Sequence, residues 1–248
     1  MKYINKYKSP NFNERKKGSK IKFIILHYTA MRSDKKALDY LSYIKNKVSS
    51  HFLINKKGCI FNLVDLKMRA WHAGLSFWND EIDINSYSLG IELDNSGHHI
   101  NFEKYTKKQI YSLIKLLRYL KKKFNIRDEN ILGHSDISPY RKIDPGEKFP
   151  WLSLSKSNLI NSIIKINEIA IKKINKKLTI KKLNNNNARS LYMLSKIGYH
   201  ILPAKNNKKN FLSLIRVYQM RFRPELINGI IDNETYFLIA SHYSQLNQ

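Results

Sequence analysis

A single cysteine, Cys59, serves the whole 248-residue chain. One thiol forms no internal disulfide and no cysteine-rich zinc site. It lies in the apolar run Cys59-Ile60-Phe61, where a small buried hydrophobe is the ordinary reading. A lone cysteine fits a reducing compartment and a disulfide-free envelope protein alike, so it leaves location open. Long apolar runs are also missing. No stretch approaches the ~18 apolar residues of a membrane-spanning helix, so no transmembrane segment is expected. The opening Met1-Lys2-Tyr3-Ile4-Asn5-Lys6 lacks the apolar stretch of an export signal. A cytoplasmic protein is the default expectation on that ground. Internal repeats are absent. Acidic residues are scarce, with 19 Asp+Glu against 45 Lys+Arg and a net charge of +26. Such a balance suits nucleic acid, an anionic membrane surface or an acidic polymer. It also fits biased composition, because Lys, Asn and Ile recur everywhere, as in Lys121-Lys122-Lys123 and Asn184-Asn185-Asn186-Asn187. The charge is not gathered in one patch and no reading motif is present, so specific nucleic-acid binding is not expected.

What is present supports a folded protein. The hydrophobic fraction of 42% is ample for a packed core. Residues 1–20 are polar and basic and read as an extended arm. Lys22 to Tyr28 is a short apolar run suited to a buried strand. Ser33 or Asp34 caps a helix running to about Asn46, with Ala37, Leu38, Leu41 and Ile44 on one face. His51–Asn55 and Cys59–Val64, joined by Lys56-Lys57-Gly58, give a hairpin signal. Ser88–Asp94 alternates, with Leu89, Ile91 and Leu93 on one face and Ser88, Gly90 and Glu92 on the other. Thr106-x-x-Gln109 opens a helix to about Phe124, and Ile131–His134 is a further strand. This order predicts an α/β layer fold with a mixed sheet flanked by helices over 21–155. After Trp151 the texture changes. Residues 158–177 read as an amphipathic helix within a connector spanning 156–187. Asn184–Asn187 reads as a linker. Residues 188–248 read as a small all-α domain of two or three helices.

Three side chains offer themselves to a metal. His27 and His134 sit at strand ends, and Asp144 follows in Asp144-Pro145-Gly146. Two imidazoles and a carboxylate form a three-ligand set that leaves a fourth zinc position for water, whose pKa zinc lowers toward ~7. From spacing alone this signal is weak, because any one of eight histidines is more often a core or surface residue than a ligand. Glu92, between Ile91 and Leu93, is a general-base candidate or a solvent-facing strand residue. Lys142 lies two positions before Asp144, so in an extended segment it reaches the same side and stabilises an oxyanion; otherwise it is one more basic surface residue. Trp71-His72-Ala73-Gly74 forms the wall of a sugar or peptide cleft, or ordinary loop packing. His51 reads as structural, His98 and His99 as solvent-facing, and His200 and His242 as poor ligand candidates.

Taken together, the segments resemble a family. Ile24-Ile25-Leu26-His27-Tyr28-Thr29-Ala30, Val48-Ser49-Ser50-His51-Phe52, Ala70-Trp71-His72-Ala73-Gly74, Leu89-Gly90-Ile91-Glu92-Leu93-Asp94-Asn95 and Gly133-His134-Ser135-Asp136-Ile137-Ser138-Pro139 occur in order, followed by Arg141-Lys142-x-Asp144-Pro145-Gly146. The set resembles the zinc-dependent N-acetylmuramoyl-L-alanine amidases of the type-2 amidase family, in its AmiD-like branch, which share a fold with T7-type lysozyme and peptidoglycan recognition proteins. The resemblance implies one Zn2+ per chain on His27, His134 and Asp144. It implies Glu92 as the acid/base and Lys142 as the group that polarises the scissile carbonyl. It implies a substrate-cleft wall at Trp71, His72, Ala73 and Gly74. The bond cut would be the amide between N-acetylmuramic acid and L-alanine, in peptidoglycan or in soluble muropeptides. A non-catalytic peptidoglycan-recognition protein is the alternative. Phe211 to Ala240 resembles the small three-helix peptidoglycan-binding module that ends such enzymes. A monomer is expected. Members of this branch usually carry an export signal and a lipid anchor, so the cell envelope is the family-based alternative for location.

Overall fold

The computed structural model describes residues 3–161 and 164–246. The chain divides into two compact units. The first comprises 1–76, 83–134 and 143–161; the second comprises 77–82, 135–142 and 162–248.

The first unit is built on a mixed sheet. Its strands are β1 (Phe12–Asn13), β2 (Phe23–Tyr28), β3 (Phe52–Ile54), β4 (Ile60–Asn62), β5 (Arg69–Ala70), β6 (Ser88–Leu93) and β7 (Ile131–Gly133). Five of them form one sheet in the order β4-β3-β6-β2-β7. β3, β6, β2 and β7 run parallel, and β4 pairs antiparallel to β3 at the edge, closing the expected hairpin. Helices α1 (Asp34–Ser42), α2 (Ile84–Tyr87), α3 (Lys107–Phe124), α4 (His134–Ile137) and α5 (Trp151–Lys156) complete the order to this point. Alternation along each strand sorts side chains onto two faces. Ile24, Leu26, Phe52, Ile54, Leu89, Ile91 and Leu93 pack with Ile110, Leu113, Leu116, Leu117 and Leu120 of α3. Leu53, on the opposite face of β3, packs with Ala37, Leu38 and Leu41 of α1. The face turned away from α3 therefore carries Ile25 and His27 of β2, and Gly90 and Glu92 of β6.

Local chemistry sets the helix ends. Thr106 caps α3 by accepting from Gln109 N at 3.1 Å, as its capping-box pattern predicts. Ser33 caps α1, but that helix stops at Ser42, short of the expected Asn46. Tyr43 is extended and Lys47 is left-handed, leaving only a 3-10 turn at Ile44–Asn46. The described part of the arm, residues 3–20, is bound to this unit. β1 pairs with β5, Ile4 bridges Phe61, and the Arg15 guanidinium donates to Asn85 O and Ser86 O.

The second unit is helical: α6 (Glu168–Ile180), α7 (Asn186–Ile197), α8 (Leu202–Lys205), α9 (Lys208–Phe222) and α10 (Asn233–Gln245). Its core is formed by Met193, Leu194, Leu214, Ile215, Tyr218, Ile239 and Ala240. The helix expected over 158–177 is corrected by the structure. Asn167 caps a helix that begins at Glu168, while Leu159 and Ile160 are buried in the first unit's core. Residues 162 and 163, inside that expected helix, lie outside the described residues. The connector expected over 156–187 is thus divided between the two units. Nor is Asn184–Asn187 a linker, because Asn185 caps α7 by accepting from Ala188 N at 2.8 Å. Asn207 caps α9 and Asp232 caps α10 in the same way. Asp136 is 1% exposed, accepts from Tyr199 Oη at 2.8 Å and pairs with Arg221. Among the described residues, no helix is long and apolar enough to cross a membrane.

Burial gives the first unit a pH-dependent stability. His51 is fully buried; Gly90 N donates to its Nδ1 at 3.0 Å, and its Nε2 lies 3.1 Å from Met68 O. Burial, reinforced by the Arg15 charge, pushes its pKa down to about 3. The unfolded chain binds a proton there below pH ~6.5 and the folded one does not. Stability present above that pH is lost as pH falls from ~6.5 toward 3, at about 1.4 kcal/mol per unit. Urea unfolding of chelator-treated protein at pH 7.5, 5.5 and 4.5 checks this. The stability gap between wild type and His51→Gln should narrow by about 2–3 kcal/mol by pH 4.5; a gap that stays constant removes His51 as the cause.

Candidate metal centre

Three parallel strands converge on the site through their carboxyl ends, where sites of open α/β sheets gather. His27 is the fifth residue of β2, Glu92 the fifth of β6, and His134 directly follows β7. His27 and Glu92 are register partners across the β2–β6 pair, on strands ~4.8 Å apart. Their side chains share the sheet face turned from α3, and Glu92 is half-buried there.

His27, His134 and Asp144 come together, with exposures of only 2%, 4% and 6%. His27 Nδ1 lies 3.0 Å from His134 Nδ1 and 3.2 Å from Asp144 Oδ2. His134 Nδ1 lies 3.0 Å from Asp144 Oδ2. Among the described residues, these form one group able to hold a metal ion. The donor set fits zinc. Ligands ~2.0–2.1 Å from a tetrahedral zinc stand about 3.3 Å from one another, close to the three separations observed. Two ring nitrogens and a carboxylate oxygen at mutual hydrogen-bond distance in a buried place need positive charge among them, a proton or a metal ion. Burial opposes ionisation of Asp144, yet His134 and His27 outweigh it and hold the carboxyl well below the usual carboxylate range. Asp144 is therefore available as an anionic ligand.

The surroundings hold these groups in place. The Tyr105 hydroxyl donates to Pro145 O at 2.7 Å, fastening the turn that carries Asp144. Gly146 has a φ of +79°, and a Cβ there would lie 2.6 Å from the Phe102 ring, so both backbone and packing require glycine. Burial, reinforced by Asp144, pushes the Tyr28 phenol up to about 12 and raises that of Tyr105. Beside Tyr28, His98 is exposed, as expected, and still makes specific contacts. It stacks on Phe102 and lies 3.0 Å from both Tyr28 Oη and Glu147 Oε2.

The segment Trp71–Gly74 is divided. Trp71 is half-buried and Gly74 exposed, while His72 is 8% exposed and Ala73 fully buried. The two buried residues support the ligands: His134 Nε2 lies 3.1 Å from Ala73 O, and His27 Nε2 lies 3.1 Å from His72 Nδ1. Asn85 Oδ1 accepts from the backbone N–H of both His72 and Ala73. Burial holds the His72 imidazole well below its ordinary pKa, so it stays neutral. Sequence reasoning missed Asn85 and two residues set against His72: Ser88, whose Oγ lies 3.1 Å from His72 Nε2, and Gly90, which leaves room for the ring. A signal existed for one of them, because glycine inside a strand marks a close approach. Lys142 is half-buried, and its N–H donates to Ser138 O at 3.0 Å.

Comparisons with known proteins show the family and the fold. The family model described as N-acetylmuramoyl-L-alanine amidase matches residues 17–147. N-acetylmuramoyl-L-alanine amidase AmiD of Escherichia coli K12 is 33% identical over 230 residues, 87% of this chain and 80% of that protein. The 1,6-anhydro-N-acetylmuramyl-L-alanine amidase AmpD of Haemophilus influenzae is 34% identical over 161 residues, 58% of this chain and 85% of that protein. Among solved structures, the complex of E. coli AmiD with the substrate anhydro-N-acetylmuramic acid-L-Ala-D-gamma-Glu-L-Lys gives a TM-score of 0.78 at 29% identity, covering 95% of this chain and 94% of that one. AmpDh3 of Pseudomonas aeruginosa gives 0.79 at 29% identity over the full length of both chains. The family model covers more than half of the chain and the AmiD match most of it, so the chain belongs to the N-acetylmuramoyl-L-alanine amidase family.

Proposed function

We propose that this protein is a zinc amidase that hydrolyses the amide between the lactyl group of N-acetylmuramic acid and L-alanine, with His27, His134 and Asp144 as the zinc ligands. The observation that carries this reading is the convergence of three buried ligand atoms within 3.0–3.2 Å of one another, beside a strand that aligns Glu92 with His27. Zinc, when bound, supplies a Lewis acid that polarises oxygen and makes water a nucleophile near neutral pH. Glu92 takes a proton from the attacking water as its oxygen adds to the lactyl carbonyl carbon. As the carbon–nitrogen bond breaks, Glu92 returns a proton to the departing L-alanine nitrogen. The Lys142 ammonium, two residues before Asp144, stabilises negative charge growing on the carbonyl oxygen. Trp71 and Gly74, which reach solvent, line the substrate cleft, and helices α9 and α10 bind the wall polymer.

A digestion tests the reading. Zinc-loaded protein is incubated with purified peptidoglycan and, separately, with soluble anhydromuropeptides, and the products are weighed. Free stem peptides beginning with L-alanine are expected, each hydrolysed bond adding one water. Activity should vanish with a chelator and return with zinc. Binding of wall fragments without any product would leave the recognition reading instead.

A further inference from the structure

The tautomer of His27 is set by a hydrogen-bond chain that runs away from the ligand cluster. It can be followed inward from its outer end. Ser88 Oγ lies 2.6 Å from Ile84 O, so the hydroxyl proton is donated to that carbonyl. The same oxygen lies 3.1 Å from His72 Nε2. With its proton already placed, Ser88 accepts there, and His72 carries its proton on Nε2. A neutral imidazole with a proton on Nε2 has a bare Nδ1. That bare Nδ1 lies 3.1 Å from His27 Nε2, which must donate to it. His27 is then left with a bare Nδ1, the atom 3.0 Å from His134 Nδ1 and 3.2 Å from Asp144 Oδ2. His134 reaches the same state by a shorter route, donating from Nε2 to Ala73 O at 3.1 Å.

The fold reserves space for this chain. A Cβ on Gly90 would lie 2.5 Å from His72 Cγ, 2.7 Å from Cδ2 and 2.8 Å from Nδ1. The imidazole therefore lies directly against the β6 backbone. Ser88 and Gly90 are two residues apart on the strand face that also bears Glu92, so one strand face supplies both the hydroxyl that orients His72 and the gap that receives it.

We propose that His72 is a positioning residue, fixing His27 in the tautomer whose bare Nδ1 faces the metal, with Ser88 fixing His72 in turn. This rests on the reading of His27, His134 and Asp144 as a zinc site. Which nitrogen of a ligand histidine meets the metal is decided by the bond its other nitrogen makes, and losing such an outer partner typically costs about 10–100-fold in metal affinity.

The test measures zinc affinity of the metal-free full-length protein by competition with a chromogenic chelator. Wild type is compared with His72→Phe, His72→Asn, Ser88→Ala and His27→Ala, with melting of each metal-free protein as a check on folding. Nitrogen-15 spectra of metal-free wild type report the His72 tautomer. His72→Phe is expected to weaken zinc by about 10–100-fold. His72→Asn, which keeps an acceptor oxygen near the Nδ1 position, should weaken it less. Ser88→Ala should cause a several-fold loss, and the spectra should show the His72 proton on Nε2. Should His72→Phe fail to fold, Ser88→Ala and the spectra decide. Wild-type zinc affinity in His72→Phe and Ser88→Ala while His27→Ala loses zinc, or a proton found on His72 Nδ1, overturns the proposal and leaves the metal site standing. Undiminished binding in His27→Ala overturns the metal site, and this inference with it.

Discussion

Replacing Glu92 with Gln is expected to lower kcat by about 10²–10⁴-fold while one zinc per chain stays bound. Glu92 is not one of the three converging donors, so its loss leaves the ligand set intact. It lies in register with His27 on the same sheet face, where a carboxylate is well placed to exchange protons with a water near the ligands. Glutamine keeps the shape and much of the hydrogen bonding but cannot take up a proton. The expected signature is therefore a fall in kcat with KM and zinc content little changed, as for an interaction needed only in the transition state. Steady-state kinetics on a soluble muropeptide, with metal analysis of the same sample, checks it. Near-wild-type turnover would remove Glu92 from the proton transfers. Loss of zinc would move it into the metal site.

Asp144→Ala should instead release the metal. Of the three donors, the carboxylate alone brings negative charge, and it does so at 6% exposure. A divalent cation left with two neutral imidazoles in a buried place loses its charge partner in a low dielectric, where such losses are severe. The drop in affinity should exceed the ~10–100-fold expected for an outer partner such as His72, and activity should fall with it. Asp144→Asn separates charge from shape, since the amide retains an oxygen donor but no charge. Metal content after dialysis, followed by activity at rising zinc, measures both variants. Asp144→Ala retaining one tightly bound zinc would contradict the assignment.

The three candidate ligands were legible where chemistry is written in single residues in a fixed order. His27, His134 and Asp144 lie at strand ends and in a tight turn, and the structure brings them within 3.2 Å of one another. The alternation of Ser88–Asp94 was equally plain, because a strand with one face on α3 must alternate. What that polar face does was not legible. Ser88 and Gly90 act on His72, 16 residues away from Ser88 in sequence, and no local pattern announces a contact between a strand and a preceding loop. The helical half misled for a different reason. Lys, Asn and Ile run through it with little variation, so a 3.6-residue period continues across places where the chain leaves one core and enters another. Leu159 and Ile160 belong to the sheet unit, and the helix begins only at the Asn167 cap. Asparagines that look like compositional drift cap α6, α7 and α9, each cap worth about 0.5–2 kcal/mol against alanine.

Diffraction from zinc-loaded crystals on both sides of the zinc absorption edge addresses the central assignment most directly. One anomalous peak per chain is expected, ~2.0–2.2 Å from His27 Nδ1, His134 Nδ1 and an Asp144 carboxylate oxygen. A peak elsewhere, or none at these three side chains in a protein that cleaves muropeptides, would contradict it.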